Sequence, residues 1–320
     1  MHLVENYKNE FELEKKAIRE GFGEGILQVG AKHENAVVLN ADLPGSLKLE
    51  KFIEKFPERY IQVGVAEQNM ASIAVGLSHY GKMPFITSFA AFSPGLNFSQ
   101  IRIGALKEQN IKIVSSHYGL NVGPDGASAQ MESDIGMMKS LPNMVIVNPA
   151  DYIQAITLTH LIAEHAGPAY MRVTREKFPV FFKLEANTEI GEAQKLLDGD
   201  KLTIIVTGSM VYETLQAVIS LDLTESVDFL NIHTIKPLDS AAIIESAVKT
   251  GKVLVVEEHN IFGGLGESVA RILSEAIPTK MKLVGINDHF GESGSHRDLW
   301  TKYGLNWESI ALSISEFLDS

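Results

Sequence analysis

A strand passes directly into a helix in the stretch Tyr60-Ile-Gln-Val-Gly-Val-Ala-Glu-Gln-Asn-Met-Ala-Ser-Ile-Ala-Val-Gly-Leu-Ser78. Residues 60–65 carry β-branched side chains at alternate positions, which is typical of a strand. Apolar residues then recur with helical spacing at Met70, Ile73, Ala74 and Leu77. Glu67 lies at the predicted start of the helix, where the helix dipole favours a carboxylate.

Glu67 has two interpretations. It can be an ordinary first-turn residue, which is the usual explanation of a glutamate at this position. However, the turns that follow it carry almost no charge, so we expect this helix to be buried. A carboxylate at the end of a buried helix is costly unless it has a partner or a task. The second interpretation is therefore that Glu67 belongs to a functional site.

The rest of the chain alternates between short apolar strands and helical patterns. Residues 36–40, 84–89, 111–115, 144–147 and 169–173 are predicted strands, and residues 11–32, 47–56, 97–107, 131–139 and 151–164 are predicted helices. Such alternation predicts an α/β fold with a parallel sheet. A smaller series follows, with strands at 202–206, 227–231, 252–257 and 282–286 and helices near 211–220, 239–248 and 266–276.

Two domains are predicted, each an α/β unit with a mostly parallel sheet and flanking helices. The chain has 320 residues, which is long for a single hydrophobic core. The first domain spans residues 11–183 and the second spans residues 199–320. Residues 184–198 are less periodic and are predicted to be a linker.

Composition excludes several classes of function. Apolar residues make up 45% of the chain and charged residues 21%, as in ordinary globular proteins. The net charge of −12 argues against a nucleic-acid partner, since such proteins carry basic patches. The chain has no cysteine, which excludes disulfides, thiolate catalysis and cysteine-ligated zinc. We find no signal peptide and no apolar run that would span a membrane, so we expect a cytoplasmic protein.

Familiar phosphate-binding motifs are absent, so the ends of the strands become the places to search. The segments 21–25 and 263–266 are rich in glycine but miss the dinucleotide-binding spacing. No histidine pair has metal-ligand spacing on a helix, and no metal site is predicted. Ligands of parallel α/β sheets lie beyond the carboxyl ends of the strands. Candidate segments follow the predicted strands, at 42–46, Glu67, 89–92, 117–130 and 172–175.

Several segments resemble successive motifs of the transketolase family. They are Val63-Gly-Val-Ala-Glu-Gln-Asn-Met70, Thr87-Ser-Phe-Ala-Ala-Phe92, Ser116-His-Tyr-Gly-Leu-Asn-Val-Gly-Pro-Asp-Gly-Ala-Ser128 and Val255-Val-Glu-Glu-His-Asn-Ile-Phe-Gly-Gly-Leu-Gly266. The resemblance runs from about Phe11 to the end of the chain. It covers the pyrimidine-binding domain and the C-terminal domain of a full transketolase.

The resemblance implies a partner chain. The family's diphosphate domain holds thiamine diphosphate and Mg2+ with a Gly-Asp-Gly motif, which occurs nowhere in this sequence. The chain therefore resembles the C-terminal subunit of a split transketolase, whose N-terminal subunit would bind the diphosphate and the metal. Because family sites lie at subunit interfaces, the resemblance implies a heterotetramer with two copies of each chain.

The resemblance assigns cofactor-binding and catalytic roles. Glu67 aligns with the glutamate that holds a pyrimidine ring nitrogen, which lets the aminopyrimidine remove the C2 proton of the cofactor. Phe89 and Phe92 align with aromatic residues that flank the pyrimidine, although plain core packing is the alternative for both. Asp42 aligns with a carboxylate near the cofactor and the substrate channel, and its alternative is a turn residue. Gly95 replaces a third aromatic residue of the family.

The resemblance also implies substrate-binding residues. Arg19 and Arg175 align with arginines that bind the sugar phosphate, a task that suits the forked guanidinium. The alternative for Arg19 is a solvated helix face, and Arg172 is predicted to be structural. Ser46 aligns with a phosphate-contacting serine.

His117 and Asp125 align with a substrate-binding pair. Asp125 would hold sugar hydroxyls, and His117, which we also assign to the catalytic set, could contact phosphate or a hydroxyl. Ala129 stands where the family usually has His or Gln, and Pro124 replaces a Glu. These departures indicate an altered acceptor, and a sulfonated or branched sugar is conceivable.

The resulting functional hypothesis is ketol transfer from a ketose phosphate to an aldose phosphate. A beta subunit of a 2-oxoacid dehydrogenase has a similar length and domain order, but the combination of Arg19, His117, Asp125 and Arg175 favours a sugar phosphate. A synthase of 1-deoxyxylulose 5-phosphate is less consistent with a split chain. A non-catalytic scaffold would not need Glu67. For Glu257, Glu258 and His259, which end a strand, the resemblance implies an architectural role, and a regulatory ligand site is the alternative.

Overall fold

The computed structural model describes residues 2–320. The first domain contains strands β1 (Lys15–Ala17), β2 (Ala36–Asn40), β3 (Tyr60–Gln62), β4 (Met83–Phe89), β5 (Lys112–Ser116), β6 (Val145–Val147), β7 (Ala169–Val173) and β8 (Lys177–Pro179). Its helices are α1 (Ile18–Lys32), α2 (Glu50–Lys55), α3 (Glu67–His79), α4 (Phe98–Leu106), α5 (Asp134–Lys139) and α6 (Tyr152–Glu164).

The second domain begins with the edge strand of its sheet. Its strands are β9 (Gln194–Leu197), β10 (Leu202–Val206), β11 (Val227–Asn231), β12 (Thr234–Lys236), β13 (Lys252–Asn260) and β14 (Lys280–Ile286). Its helices are α7 (Met210–Ser220), α8 (Ser240–Thr250), α9 (Leu265–Ala276), α10 (His296–Lys302) and α11 (Trp307–Asp319). No helix of residues 2–320 is both long enough and apolar enough to cross a membrane.

The first sheet has seven strands in the order β12-β6-β7-β5-β4-β2-β3. All neighbouring pairs are parallel except β12 with β6. Every residue of β2, β5 and β7 is buried, as expected for central strands that are covered on both faces. The predicted α/β class with a mostly parallel sheet is confirmed for this domain.

The glycines of α1 serve helix packing. α1 and α6 lie side by side on one face of the first sheet. A Cβ atom at Gly21 would lie 2.3 Å from the main-chain oxygen of Tyr152, and one at Gly25 would lie 2.8 Å from Cβ of Thr159. The glycine-rich segment 21–25 therefore allows close contact between two helices and is not a phosphate loop.

The second sheet has five strands in the order β14-β13-β10-β11-β9, and only β9 is antiparallel to its neighbour. This domain also confirms the predicted architecture. Hydrophobic side chains of both domains form one continuous cluster; for example, the rings of Phe181 and Tyr212 lie 5.2 Å apart.

Several local features differ from the prediction, among them the strand predicted over residues 60–65, which ends at Gln62. The predicted helix over residues 11–32 begins only at Ile18, because residues 15–17 form β1 and pair with β8. The predicted linker 184–198 contains β9, which pairs with β11. The boundaries 11–183 and 199–320 stay predictions.

The second domain also contributes a strand to the first sheet. β12 pairs antiparallel with β6, with Thr234 opposite Val147 and Lys236 opposite Ile146. The Lys236 ammonium group donates hydrogen bonds to the main-chain oxygens of Lys139 and Leu141 at 3.0 and 2.6 Å. The two domains are therefore joined by a shared sheet.

Candidate active site

The carboxyl ends of the parallel strands in the first sheet meet at one edge. β2 ends at Asn40, β4 at Phe89, β5 at Ser116 and β7 at Val173, and these four strands are neighbours in the sheet. The candidate residues that follow each strand therefore share the edge where ligands of such sheets bind.

Glu67 is the first residue of α3 and is 6% exposed. The Ser88 hydroxyl donates to its Oε1 at 3.5 Å, and the Asn97 amide donates to its main-chain oxygen at 3.2 Å. The helix N-terminus favours the charge, while these contacts fix the residue beside the end of β4. Glu67 is thus held at the edge of the sheet.

The expectation that α3 is buried was wrong for one of its faces. Met70, Ala71 and Ala74 are buried, whereas Gln68 and Ser72 are exposed. The low charge of the helix therefore produces an uncharged outer surface rather than complete burial within this chain.

Three aromatic rings form a stack at the ends of β4 and β5. The centroids of Phe89 and His117 lie 3.8 Å apart with an interplanar angle of 23°. Those of Phe89 and Phe92 lie 5.9 Å apart at 13°. Both phenylalanines are only partly buried, so part of the stack faces outward. Plain core packing does not describe these residues, because they form an apolar surface at the mouth of the site.

His117 is held in the left-handed backbone region, with φ of 60°. Its Nδ1 lies 2.8 Å from the Ser116 hydroxyl oxygen. Burial, followed by the positive charges of Arg19 and Arg175, lowers the pKa of His117 to about 3. The imidazole is therefore neutral at physiological pH and is suited to hydrogen bonding rather than to charge pairing.

The two arginines lie close enough to influence each other and His117. Burial and the charge of Arg175 lower the pKa of Arg19. Arg19 donates from Nη1 to the main-chain oxygen of Ser46 at 3.2 Å and is half-buried, so it is not on a solvated helix face. Arg175 donates from Nη1 to the main-chain oxygen of Val122 at 2.8 Å. Both cations thus lie at this edge of the sheet, and Nε of Arg175 also lies 3.6 Å from Oε1 of Glu176.

Asp42 and Asp125 lie at the periphery. Asp42 is exposed, with φ of 63°, and its amide donates to Oε1 of Gln62 at 2.9 Å. Asp125 is exposed on the 3-10 turn Gly123–Asp125. Neither carboxylate takes part in the contacts described above, so the structure does not join them to the aromatic stack. The main-chain oxygen of Ser46 accepts the hydrogen bond from Arg19 described above.

Gly95 occupies a turn that has no room for a side chain. A Cβ atom there would lie 1.9 Å from the main-chain oxygen of Ala91. The chain turns tightly after Phe92, so this position has no room for a third aromatic side chain.

Sequence reasoning missed several residues that support the site. Ser88 and Asn97 contact Glu67, as described above. The side-chain oxygen of Asn121 accepts hydrogen bonds from the amides of Arg175 and Glu176 at 2.8 and 3.2 Å. Each of these residues lies close to a candidate in the sequence, yet a buried amide or hydroxyl carries no distinguishing local pattern.

Arg172 lies on β7 and is completely buried. Its Nε lies 2.8 Å from Oδ2 of Asp134, and its guanidinium carbon lies 3.6 Å from the centroid of the Tyr118 ring. These contacts agree with a structural role for Arg172.

Two family models match this chain. "Transketolase, pyrimidine binding domain" matches residues 14–180, and "Transketolase, C-terminal domain" matches residues 191–310. The chain belongs to the transketolase family. The resemblance inferred from the motifs, including its assignment to these two domains of a transketolase, is thereby confirmed.

Similar proteins of the transketolase family match almost end to end. A putative transketolase C-terminal section of Methanocaldococcus jannaschii is 43% identical over 94% of this chain and 96% of its own length. A 6-deoxy-6-sulfo-D-fructose transketolase subunit of Clostridium sp. is 34% identical over 97% of both chains. An apulose-4-phosphate transketolase subunit of Phocaeicola vulgatus is 33% identical over 94% of this chain and 97% of its own.

A solved structure described as a split-gene transketolase, inactive beta4 tetramer, has the same fold. It superposes with a TM-score of 0.87 at 35% identity and covers 96% of this chain and 99% of its own.

The residues present fit the pyrimidine half of thiamine diphosphate, the cofactor of the transketolase family. Phe89 and Phe92 offer an aromatic surface, and the Glu67 carboxylate contacts Ser88, the residue before Phe89. A flat heteroaromatic ring with basic nitrogens matches such a surface and such an acceptor. Within the described residues, 2–320, no group of three or more His, Asp or Glu side chains could hold a metal ion.

Proposed function

We propose that this chain is the pyrimidine-binding subunit of a split, thiamine-diphosphate-dependent transketolase that moves a two-carbon ketol unit from a ketose phosphate to an aldose phosphate. The observation that carries the proposal is the juxtaposition at one sheet edge of Glu67, the stack of Phe89 with His117, and the pair Arg19 and Arg175. A proton-holding carboxylate, an aromatic surface and an anion site are the three features that this reaction requires.

Each residue has a role toward the cofactor. Thiamine diphosphate, when bound, supplies the electron sink for breaking a carbon–carbon bond next to a carbonyl group. Glu67 would share a proton with a ring nitrogen of the pyrimidine, and Phe89 and Phe92 would hold the ring and exclude water. Asp42 provides a carboxylate near the entrance to the site.

The other candidates act on the sugar. Arg19 and Arg175 bind the phosphate, for which the forked guanidinium is suited. Ser46 contacts the same group. His117, being neutral, exchanges hydrogen bonds with a phosphate oxygen or a sugar hydroxyl during catalysis. Asp125 accepts hydrogen bonds from the hydroxyls of the donor or the acceptor.

A second type of subunit completes the enzyme. The family models that match are those of the pyrimidine-binding and C-terminal domains, and the chain has no Gly-Asp-Gly motif. We therefore assign the diphosphate and Mg2+ to an N-terminal subunit and expect a heterotetramer of two copies each in the cytoplasm. The solved relative described as an inactive beta4 tetramer supports the need for a partner.

The sugar can differ from a common pentose phosphate. Two relatives act, by their names, on a sulfonated ketose and on apulose 4-phosphate. Ala129, which is partly buried on the loop of Asp125, replaces the polar residue usual in the family. We include a sulfonated or branched sugar as a second candidate substrate on this ground.

Mixing of the two subunits tests the proposal. The chain is combined with the candidate diphosphate subunit, thiamine diphosphate and Mg2+, and ketol transfer from xylulose 5-phosphate to ribose 5-phosphate is followed. We expect turnover in the mixture and none with either chain alone. Turnover with 6-deoxy-6-sulfofructose or a branched sugar instead would identify that sugar, and not a pentose phosphate, as the substrate. Turnover only with a 2-oxoacid would contradict the proposal.

A further inference from the structure

Two adjacent glutamates at the end of β13 serve different domains. Oε2 and Oε1 of Glu257 accept hydrogen bonds from the amides of Leu265 and Gly266 at 2.7 and 2.8 Å, which caps α9 of its own domain. Oε1 of Glu258 accepts a hydrogen bond from the amide of Leu120 in the first domain at 2.9 Å. The second carboxylate therefore reaches across the domain boundary.

The segment that Glu258 contacts is the loop of the candidate substrate residues. Leu120 lies three positions after His117 and five before Asp125. The carboxylate carbon of Glu258 lies 2.8 Å from where a Cβ atom of Gly119 would be, and Gly119 has φ of 57°. A side chain at position 119 would collide with Glu258, so the loop and the carboxylate are closely fitted at this point.

The contact lies in a buried polar cluster. Glu258 is 1% exposed, and its Oε2 accepts a hydrogen bond from the Ser209 hydroxyl at 2.8 Å. The Tyr118 hydroxyl donates to the Ser209 oxygen at 3.1 Å. Arg172 donates from Nη2 to the main-chain oxygen of Glu258 at 3.1 Å. A buried carboxylate is retained at a cost, and packing alone would be served better by an apolar side chain.

We propose that Glu258 is a positioning residue for the substrate site: by holding the amide of Leu120 it fixes the loop that carries His117 and Asp125. The second domain then determines how tightly the sugar is bound through its hold on this loop. The kinetic part of this inference rests on the proposed function, whereas the mechanical part concerns the chain alone.

Hydrogen–deuterium exchange tests the mechanical part on the isolated full-length chain. Glu258→Leu replaces the carboxylate by an apolar side chain and removes both acceptors. Glu258→Gln keeps an acceptor oxygen, and Glu257→Leu is the matched control. We expect Glu258→Leu to speed exchange in residues 117–130 by about tenfold or more, because the buried Leu120 amide loses its acceptor. Glu258→Gln should restore most of the protection.

The control separates positioning from general damage. Glu257→Leu should speed exchange near residues 261–270 and leave residues 117–130 as in the wild type. Equal exchange of residues 117–130 in Glu258→Leu and the wild type would overturn the proposal. If Glu258→Leu does not fold, amide exchange in the wild-type chain is the test. A Leu120 amide that exchanges as fast as the amide of exposed Ser128 would contradict the proposed hydrogen bond.

Kinetics of the reconstituted complex test the second part. We expect Glu258→Leu to raise KM for the sugar substrate about tenfold while kcat falls less, and Glu257→Leu to lower thermal stability without changing KM. An unchanged KM for Glu258→Leu, together with loosened exchange in the loop, would refute the role in substrate binding. A wild-type complex without ketol transfer would refute the proposed function instead. The hydrogen–deuterium exchange experiment would still test whether Glu258 fixes the loop.

Discussion

The carboxyl edge of the first sheet is open, whereas the same edge of the second sheet is covered by the first domain. Phe89 and Phe92 at the first edge are partly exposed, and Asp42 is exposed. At the second edge, His233 and Glu258 are completely or almost completely buried. Two sheets of the same kind therefore use the same edge in opposite ways.

The polar groups of the second edge bind the first domain rather than a ligand. The Asn148 side chain donates to the Thr207 hydroxyl at 3.1 Å, and its main-chain amide donates to the main-chain oxygen of His233 at 2.8 Å. Burial raises the pKa of Glu258 to about 7 and lowers the pKa of His233 to about 4. Polar residues at strand ends thus indicate a ligand site only where the edge of the sheet is not covered by the other domain.

The largest expected effect is a loss of stability when the buried ion pair of Arg172 with Asp134 is removed. Arg172→Met removes the cation that neutralises Asp134, which is itself completely buried. An uncompensated buried charge costs about 3–5 kcal/mol, so the free energy of unfolding should fall by that amount. Denaturant titration measures it.

The control for Arg172→Met is Arg271→Met. Arg271 forms an exposed pair with Glu275, and such pairs are worth about 0.3–0.5 kcal/mol. Arg172→Met and Arg271→Met could lower the free energy of unfolding equally. The buried contacts at the covered edge would then stabilise the protein no more than an exposed ion pair does, which would contradict the comparison.

A change at the open edge should affect activity and spare stability. Glu67→Gln removes the carboxylate that holds a proton, and we expect ketol transfer by the reconstituted complex to fall about a hundredfold or more. Denaturation of the variant should match that of the wild type within about 1 kcal/mol. Unchanged turnover would remove Glu67 from the catalytic set.

A smaller effect is expected from the anion site at the open edge. Arg175→Met should raise KM for a sugar phosphate about tenfold or more, since a hydrogen bond to a charged group is lost. The matching sugar without phosphate should show no such change, and Arg271→Met serves as a remote control. An equal loss for both sugars would indicate that Arg175 only supports the loop through Val122.

The effect that is smallest near neutral pH concerns the protonation of His117. Its pKa is lowered to about 3 in the folded chain, below the unfolded value of about 6.5. The unfolded state therefore binds the extra proton first, and His117 makes the chain less stable as pH falls from 6.5 towards 3. NMR should show no titration of its imidazole between pH 8 and 5. Arg19→Met should raise its pKa, whereas Arg271→Met should leave it unchanged; a normal titration in the wild type would contradict this account.

Elements with a strong local pattern were predictable from the sequence. The bounds of β7, β10 and β11 match the prediction, because buried strands in parallel sheets are apolar runs with clear ends. The short strands β1 and β12 were not predicted. They have three residues each, and partners more than 80 residues away determine their pairing.

The site was predictable only in part. Alternation of strands and helices located its edge, and the motifs indicated which residues follow each strand. The exposure of Asp125 and the contact between Glu258 and Leu120, 138 positions apart, depend on how the two domains pack. No local pattern in the sequence contains that information.

Strand β12 limits how chimeras of related enzymes can be built. Without residues 234–236, β6 would become the edge strand of the first sheet and would expose unpaired amides and carbonyls. A chimera joined in the connecting segment, near residue 190, would pair a β6 from one parent with a β12 from another. Functional chimeras should therefore take β6 and β12 from the same parent, so the inherited unit is the strand pair rather than the domain.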